Sequence, residues 1–252
     1  MTSFFIRSSS GIFKAPQLVT TKVILLVIAL FCLTLSTKAQ MGNEYAKFDI
    51  GASIGANQFY GDVATLKSTQ EVSLNLNYNQ TPFINYILEG QLGKLAGGST
   101  NDHLGKKFAT NYQYVDLRIQ LQAGEIIDYS NSGVANALKN LYVGTGIGVI
   151  FGKVTSINRY STKFPGDYFP GDNKSKQAFL PIRIGYEFKL FNEFLQPYLK
   201  IDIGYQYHYI YGDEIDGYRS GHVNDSFSQF TIGGKFSIGA LSSYRKQVYN
   251  FH

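Results

Sequence analysis

The sequence is short of cysteine, tryptophan and charge. Cys32 is the only cysteine among 252 residues, and there is no tryptophan. Because Cys32 lies in an apolar segment near the start, a chain that loses this segment has no disulfide, thiol catalysis or cysteine-ligated metal. Charged residues make up only 16% of the sequence and aromatic residues 15%. Few charges and many aromatic rings favour a protein with more than one buried or lipid-facing zone.

Residues 1–39 have the pattern of an export signal. The largely apolar run Val23–Leu35 is shorter than the roughly 20 residues that a spanning helix needs. Basic residues and no acidic residue precede it: Arg7, Lys14 and Lys22. Small residues before Gln40 predict cleavage after Ala39, and a membrane-anchoring helix is the alternative. The predicted organisation is a signal peptide at 1–39 and one domain at 40–252.

The segment Pro197–Tyr211 alternates strictly between two unlike faces. One face is apolar or aromatic: Leu199, Ile201, Ile203, Tyr205, Tyr207 and Tyr209. The other is polar or small: Lys200, Asp202, Gly204, Gln206 and His208. A period of two predicts a β-strand. In a soluble sandwich or barrel the apolar face would form the core, whereas in a membrane barrel it would meet lipid around a polar interior.

Seven more segments show the same alternation, and no apolar run long enough for a spanning helix follows the first forty residues. The eight predicted strands cover residues 47–57, 71–78, 84–93, 112–123, 142–154, 179–190, 197–211 and 227–239. Many of them approach the length of about ten residues that a transmembrane strand needs. The pattern predicts an all-β fold, an eight-stranded antiparallel transmembrane β-barrel with a polar, filled lumen.

The polar faces of these strands carry acidic and basic residues in equal number. They are Lys47, Asp49, Glu71, Glu89, Asp116, Arg118, Arg183, Glu187, Lys189, Lys200, Asp202 and Lys235. A solvated surface requires no such balance, but inside a narrow barrel each buried charge needs a partner. These residues are therefore expected to form a structural charge network in the lumen.

The connections between strands are expected to differ at the two ends of the barrel. Export places both mature termini on the periplasmic side, so the long connections 96–109, 155–176 and 212–225 should face outward. The connection 124–140 is also long, although it should face the periplasm. Asn131-Ser132 predicts a short helix there, and the alternative is an extra pair of strands, giving ten in all. A tail, Ala240–His252, follows the last strand.

Residues that carry chemistry are sparse. The histidines are His103, His208, His222 and His252, and no spacing joins one to a serine and a carboxylate. The acidic residues near Asp213 do not have the spacing of a calcium loop. We therefore predict no catalytic, metal or cofactor-binding residues and no cofactor. Without the signal the chain is nearly neutral, which gives no support for nucleic-acid binding.

The connection 155–176 contains a short repeat, Phe164-Pro165-Gly166-Asp167 followed by Phe169-Pro170-Gly171-Asp172. Pro-Gly pairs form turns, and each turn would present a phenylalanine. Phe164 and Phe169 are thus candidates for binding a partner, because exposed rings on a rigid loop suit recognition. The alternative is that both rings fold back over the mouth of the barrel.

Four segments resemble the small outer-membrane β-barrel proteins of Bacteroidota, which have OmpA-like barrels. They are FDIGASIGANQFYGDV (48–63), LYVGTGIGVIFGKV (141–154), LPIRIGYEFKL (180–190) and QPYLKIDIGYQYHYIYGDEIDG (196–217). The resemblance spans residues 40–252 and includes, as one branch, the PorG-type component of type IX secretion. The sequence departs from OmpA in having no peptidoglycan-binding domain after the last strand.

The function expected from these observations is non-enzymatic. The barrel would lie in outer-membrane lipid and act as an anchor or interaction scaffold, with protein partners at its outer loops or periplasmic turns. The resemblance implies an accessory role in a secretion or surface complex. The alternatives are a narrow passive channel for small solutes and an outer-membrane lipid-modifying enzyme.

Overall fold

The computed structural model describes residues 43–245, apart from 62, 64, 103, 104, 131, 162, 163, 165 and 220–223. The predicted export signal and three of the histidines lie outside the described residues. Eight antiparallel strands, paired in chain order, close into a barrel. They are β1 (Asn43–Tyr60), β2 (Ser68–Asn79), β3 (Ile84–Gly98), β4 (Lys107–Gln122), β5 (Leu141–Asn158), β6 (Lys174–Phe191), β7 (Pro197–Ile210) and β8 (Ser226–Tyr244). The predicted fold is therefore confirmed.

The fourth connection contains helical turns and no strand pair, so the ten-strand alternative is wrong. A 3-10 turn, Ala123–Glu125, is followed by the short helix α1, Gly133–Leu138. The hydroxyl of Ser132 accepts a hydrogen bond from the amide of Ala135 at 3.3 Å, which caps the start of α1. The carbonyl of Lys139 accepts from the amide of Gly124 at 2.7 Å and ties the two ends of the connection together.

Most of the strands are longer than their alternation predicts. The predicted loop 96–109 shrinks to residues 99–106, because β3 and β4 stay paired as far as Gly98 and Lys107. Ala240–Tyr244, predicted as part of a tail, continue β8, and Leu241–Tyr244 pair with the beginning of β1. The extensions carry apolar side chains on the inward face, such as Leu95 and Phe108, so the alternation of an apolar outer face with a polar inner face does not detect them.

The apolar faces of the strands point outward and the polar faces point inward. Ile54, Leu74 and Ile147 are 62%, 69% and 73% exposed. Asp49, Arg118 and other polar interior residues are buried. This arrangement is the reverse of a soluble barrel or sandwich, so the soluble alternative is wrong.

The two ends of the barrel differ. The connections 61–67, 99–106, 159–173 and 211–225 lie at one end, here called the loop end. The connections 80–83, 123–140 and 192–196 lie at the other, the turn end, where β1 begins and β8 ends.

The interior changes character along the barrel. Near the loop end it is filled by a cluster of buried rings and aliphatic side chains, here called the aromatic plug. The plug consists of Phe59, Val63, Leu95, Phe108, Tyr112, Tyr114, Ile150, Phe179, Ile210, Ile215, Tyr218 and Phe227. The charged residues fill the rest of the interior. The predicted polar lumen is thus only partly polar.

Candidate functional site

The predicted lumen charges lie inside the barrel with one exception. Ten of the twelve side chains are buried: Asp49, Glu71, Glu89, Asp116, Arg118, Arg183, Glu187, Lys200, Asp202 and Lys235. The side chain of Lys189 is 9% exposed and also faces inward. Lys47 is exposed on the outside. We call the inward-facing set the interior network.

Lys47 faces outward because of a bulge in β1, so its predicted position in the lumen is wrong. The pairing of β1 with β8 shifts register between Ala46 and Phe48. An extra residue at a bulge reverses the alternation beyond it, so Ala46 and Asp49 point inward while Lys47 and Phe48 between them are exposed. A strict period of two, applied to the sequence, placed Lys47 on the wrong face.

Arg118 is the centre of one half of the interior network. Its guanidinium donates two hydrogen bonds to Glu89, with N–O distances of 2.7 and 3.2 Å. It also donates to Asp116 at 2.8 Å and to the amide oxygen of Gln206 at 2.9 Å. A bidentate pair between a guanidinium and a carboxylate is among the strongest polar contacts in proteins.

Arg183 is the centre of the other half. It donates to Asp202 at 2.6 Å, to the hydroxyl of Tyr142 at 2.9 Å and to the hydroxyl of Thr231 at 2.7 Å. Lys235 extends this half, with its ammonium 3.1 Å from Asp202 and 2.9 Å from Glu187. The two halves are joined because Gln206 also accepts from Arg183 at 3.2 Å.

Lys200 and Lys189 complete the network toward the turn end. The ammonium of Lys200 lies 2.6 Å from the carboxylate of Asp49. Lys189 donates to the side chain of Gln122 and to the carbonyl of Pro82, both at 2.7 Å. This second contact ties the interior to the β2–β3 turn.

The neutral partners in the network were not singled out from the sequence. Gln206, Tyr142 and Gln122 each bond to at least one basic side chain. Gly204 makes room for the guanidinium of Arg183, because a Cβ there would lie 2.6 Å from an Arg183 nitrogen. A polar residue or glycine at an inward position signals an interior role, but its partner lies on a distant part of the chain.

Glu71 is the one carboxylate of the interior network that accepts no hydrogen bond from the described residues. Because Lys47 lies outside, the interior network has six acidic residues and five basic ones. Both carboxylate oxygens of Glu71 are buried without a hydrogen-bond partner, although the side chain is only 3% exposed. A buried charge without such a partner destabilises a fold.

Replacing Glu71 with glutamine is expected to stabilise the barrel. At pH 8 the free energy of unfolding should rise by about 1–3 kcal/mol, because the amide removes an unbonded buried charge. Glu89→Gln is the matched control, since it removes a carboxylate that Arg118 bonds twice, and its stability should fall. Denaturant midpoints of the folded barrel measure both. A loss for Glu71→Gln as large as for Glu89→Gln would contradict the assignment.

Little empty space remains within the network. The cavity among Glu89, Arg118, Arg183, Asp202 and Lys235 has a volume of about 10 Å³. That is about the least volume that holds one water molecule. The side chains of the network therefore pack closely around this point of the interior.

The aromatic plug fills the interior near the loop end. Tyr112 and Tyr114 stack with centroids 6.1 Å apart, and His208 stacks on Phe227 at 4.0 Å. The plug meets the network where Tyr114 donates a hydrogen bond to Glu89 at 2.9 Å. These rings occupy inward positions that alternation alone would assign to polar residues.

The seventh connection, residues 211–225, folds into the mouth of the barrel. Ile215 and Tyr218 are fully buried in the plug. The hydroxyl of Tyr218 bonds the backbone of Lys107 and of Asn158, at 3.0 and 2.8 Å. Burial raises the pKa of Tyr218 to about 12, so its hydroxyl keeps its proton at neutral pH. The seventh connection is thus tied to the loop-end residues of β4 and β5.

The two phenylalanines of the Pro-Gly repeat have different positions. Phe169 packs against the plug, edge-on to Tyr218 at 6.1 Å, with the ammonium of Lys106 over its ring at 4.8 Å. Phe164 is 47% exposed. Phe169 therefore folds back toward the mouth of the barrel, whereas Phe164 is exposed and its role in binding a partner stays a prediction.

The described residues offer no arrangement for catalysis at His208. The imidazole is buried, with Gln206 and Gln229 at 3.1 and 2.9 Å from its Nε2. No group of histidine, cysteine or acidic side chains suited to a metal ion occurs in the described part of the chain. In the same residues no helix is long and apolar enough to cross a membrane.

Comparison with known proteins gives matches to solved structures alone. No protein-family model and no curated protein matches the sequence. The chain is similar to Neisserial surface protein A, at 11% identity and a TM-score of 0.46, over 77% of this chain and 98% of that one. It is similar to Ail, the attachment invasion locus protein of Yersinia pestis, at 14% identity and a TM-score of 0.40, over 76% and 98%.

A third similar structure is the N-terminal β-barrel domain of Pseudomonas aeruginosa OprF. Its identity is 10% and its TM-score 0.36, over 77% of this chain and 99% of that one. No comparison supports the Bacteroidota affiliation or the PorG-type branch, so that part of the resemblance stays a prediction.

Proposed function

We propose that the protein is a closed outer-membrane barrel that acts as an anchor and presents its loop end to protein partners. The observation that carries this proposal is the combination of an apolar outer surface with an interior that is filled from the plug to the turn end. An apolar outer surface is compatible with contact to lipid. Because the interior is filled, the exposed connections at the ends of the barrel are the parts that can contact protein partners.

The distribution of rings on the outer surface supports insertion in a membrane. Exposed tyrosine and phenylalanine residues occur toward the turn end, at Phe48, Tyr78 and Tyr198, and toward the loop end, at Tyr209 and Tyr211. Between them the outward side chains are mainly aliphatic. Two aromatic girdles flanking an apolar band are characteristic of outer-membrane barrels. Export would place the turn end, with both termini, in the periplasm.

A closed interior argues against the alternative of a passive channel. We expect no stable single-channel conductance of porin size when the barrel is reconstituted in a planar bilayer, because an eight-stranded barrel has room for little beyond its side chains. The variant Phe227→Ala/Tyr114→Ala, which thins the plug, tests whether the network alone keeps the barrel closed. Porin-sized steps in the unmodified protein would overturn the proposal.

The partner surface is proposed to include rings of the fifth connection. Tyr160, Phe164 and Tyr168 are exposed at the loop end, and the rings of Tyr160 and Tyr168 lie 5.3 Å apart. Exposed aromatic residues of this kind are typical anchors of protein interfaces. An accessory role in a secretion or surface complex is the version of this proposal that rests on the sequence resemblance.

Site-specific crosslinking in native membranes tests the proposed surface. A photoreactive residue at Phe164 should crosslink to a discrete partner, and Tyr160→Ser/Tyr168→Ser should weaken that product. Phe194 is the matched control, because it is 77% exposed in a turn at the opposite end. Equal crosslinking from both positions, or none from Phe164, would contradict the proposed surface.

A further inference from the structure

The charged residues on the outward faces of β3 to β6 near the loop end are all lysines. Lys94, Lys153, Lys174 and Lys176 are exposed there, and we call them the lysine row. In the described part of the chain none of the four makes an ion pair. Lys176 contacts a ring instead, with its ammonium 5.6 Å from the centroid of Phe151.

The pairing of the strands places these lysines next to one another. Lys94 pairs with Asn111, Asn111 pairs with Lys153, and Lys153 pairs with Lys174. Directly paired side chains lie on one face of a sheet, with Cβ atoms about 4.5–5.5 Å apart, and like charges in such a pair repel. The Lys153–Lys174 pair is therefore unfavourable unless an anion lies beside it.

The interior contains a contrasting pair of lysines. Lys200 and Lys235 are also directly paired. Their charges are compensated by Asp49, Glu187 and Asp202 at 2.6–3.1 Å. The chain supplies carboxylates where two lysines meet inside the barrel, and no described carboxylate bonds the pair outside it.

Exposed apolar side chains adjoin the lysine row on the outer face of the barrel. Leu92, Phe151 and Ile182 are 59%, 38% and 51% exposed, and each lies on a strand that carries a lysine of the row. The interior behind this wall is filled, because a Cβ on Gly93 would lie 2.6 Å from the hydroxyl of Tyr112. The lysine row therefore lies where the apolar outer surface ends toward the loop end.

We propose that the lysine row binds the phosphate groups of lipid molecules in the leaflet at the loop end, with their acyl chains along the exposed apolar side chains of the same strands. This proposal rests on the proposed insertion in a membrane. Two features of the row fit a phosphorylated lipid. Lysine is a point charge that binds phosphate in many geometries, and the row lies on the loop-end side of Leu92, Val149 and Leu180, which are outward apolar residues of its strands.

The binding experiment uses diphosphoryl lipid A added to the folded barrel in neutral detergent micelles, with native mass spectrometry counting bound lipid. Lys153→Gln/Lys174→Gln should retain at least roughly tenfold less lipid than the unmodified protein. Lys47→Gln/Arg245→Gln, which changes two exposed basic residues at the turn end, should retain the unmodified amount. Equal retention by all three proteins would overturn the proposal.

A competition arm distinguishes the lipid from free phosphate. Excess inorganic phosphate should leave bound lipid A in place, since it lacks the acyl chains that the exposed apolar side chains would contact. Displacement by inorganic phosphate would overturn the assignment to a lipid. Failure of the proposed membrane insertion would appear earlier, as a protein that folds in buffer without detergent.

Stability measurements give an independent test, because Lys174→Gln should change the unfolding midpoint in opposite directions without and with the lipid. In neutral detergent Lys174→Gln should raise the unfolding midpoint, because it removes the repulsion from Lys153. With diphosphoryl lipid A present the same substitution should lower the midpoint relative to the unmodified protein, because a phosphate contact is lost. The same direction of change in both conditions would overturn the proposal.

Discussion

Replacing Arg118 with leucine is expected to lower the free energy of unfolding by about 3–5 kcal/mol. Arg118 is buried and bonds Glu89, Asp116 and Gln206. Leucine fills much of the space but leaves two carboxylates without their basic partner. Removing one member of a buried ion pair exposes the full cost of burying the other. Equilibrium unfolding in urea, with the barrel folded into lipid vesicles, measures the loss.

The chain provides a matched control on its surface. Arg219 also contacts two carboxylates, those of Glu214 and Asp172, but its side chain is 62% exposed. Solvent screens such contacts, so Arg219→Leu should leave the midpoint nearly unchanged. A triple variant, Arg118→Leu with Glu89→Leu and Asp116→Leu, should recover part of the stability that Arg118→Leu loses. Equal losses from Arg118→Leu and Arg219→Leu would contradict the role of the interior network.

Alternation predicts the barrel because lipid and lumen impose opposite demands on successive residues of each strand. The seventh strand shows this most clearly, since Ile203 faces outward and Asp202 inward as expected. The prediction fails where the backbone departs from a regular strand. The bulge beside Lys47 reverses the pattern, and nothing in the local composition of β1 indicates it.

The partners within the interior could not be predicted from the sequence. Arg118 and Gln206 are 88 positions apart, and the pairing that joins them depends on the closure and stagger of the whole barrel. Charge balance predicted a partner for each buried carboxylate, and for Glu71 this prediction is wrong, because neither of its oxygens has a hydrogen-bond partner. The aromatic plug was missed for a different reason. In the sequence, an aromatic residue at an inward position looks like a lipid-facing residue or like an interruption of the polar and apolar alternation.

The second large loss of stability is expected for a charged substitution on the outer surface of the barrel. Ile203 lies in the middle of β7, on the outward face, where it pairs with Tyr186 and Ile232 of the neighbouring strands. If this surface meets lipid near the centre of the bilayer, Ile203→Arg should lower the free energy of unfolding by about 2–4 kcal/mol. The guanidinium would have to lie in the hydrocarbon or draw water and head groups toward it.

Two positions on the same face of β7 supply the controls. Leu199 and Tyr209 lie toward the turn end and the loop end, where an arginine side chain reaches the head groups. Leu199→Arg and Tyr209→Arg should therefore each cost only about 0–1 kcal/mol. A water-exposed outer surface would tolerate all three substitutions equally, whereas lipid penalises the central one alone. Urea midpoints of the three variants refolded into vesicles decide between these outcomes, and a flat profile would contradict membrane insertion.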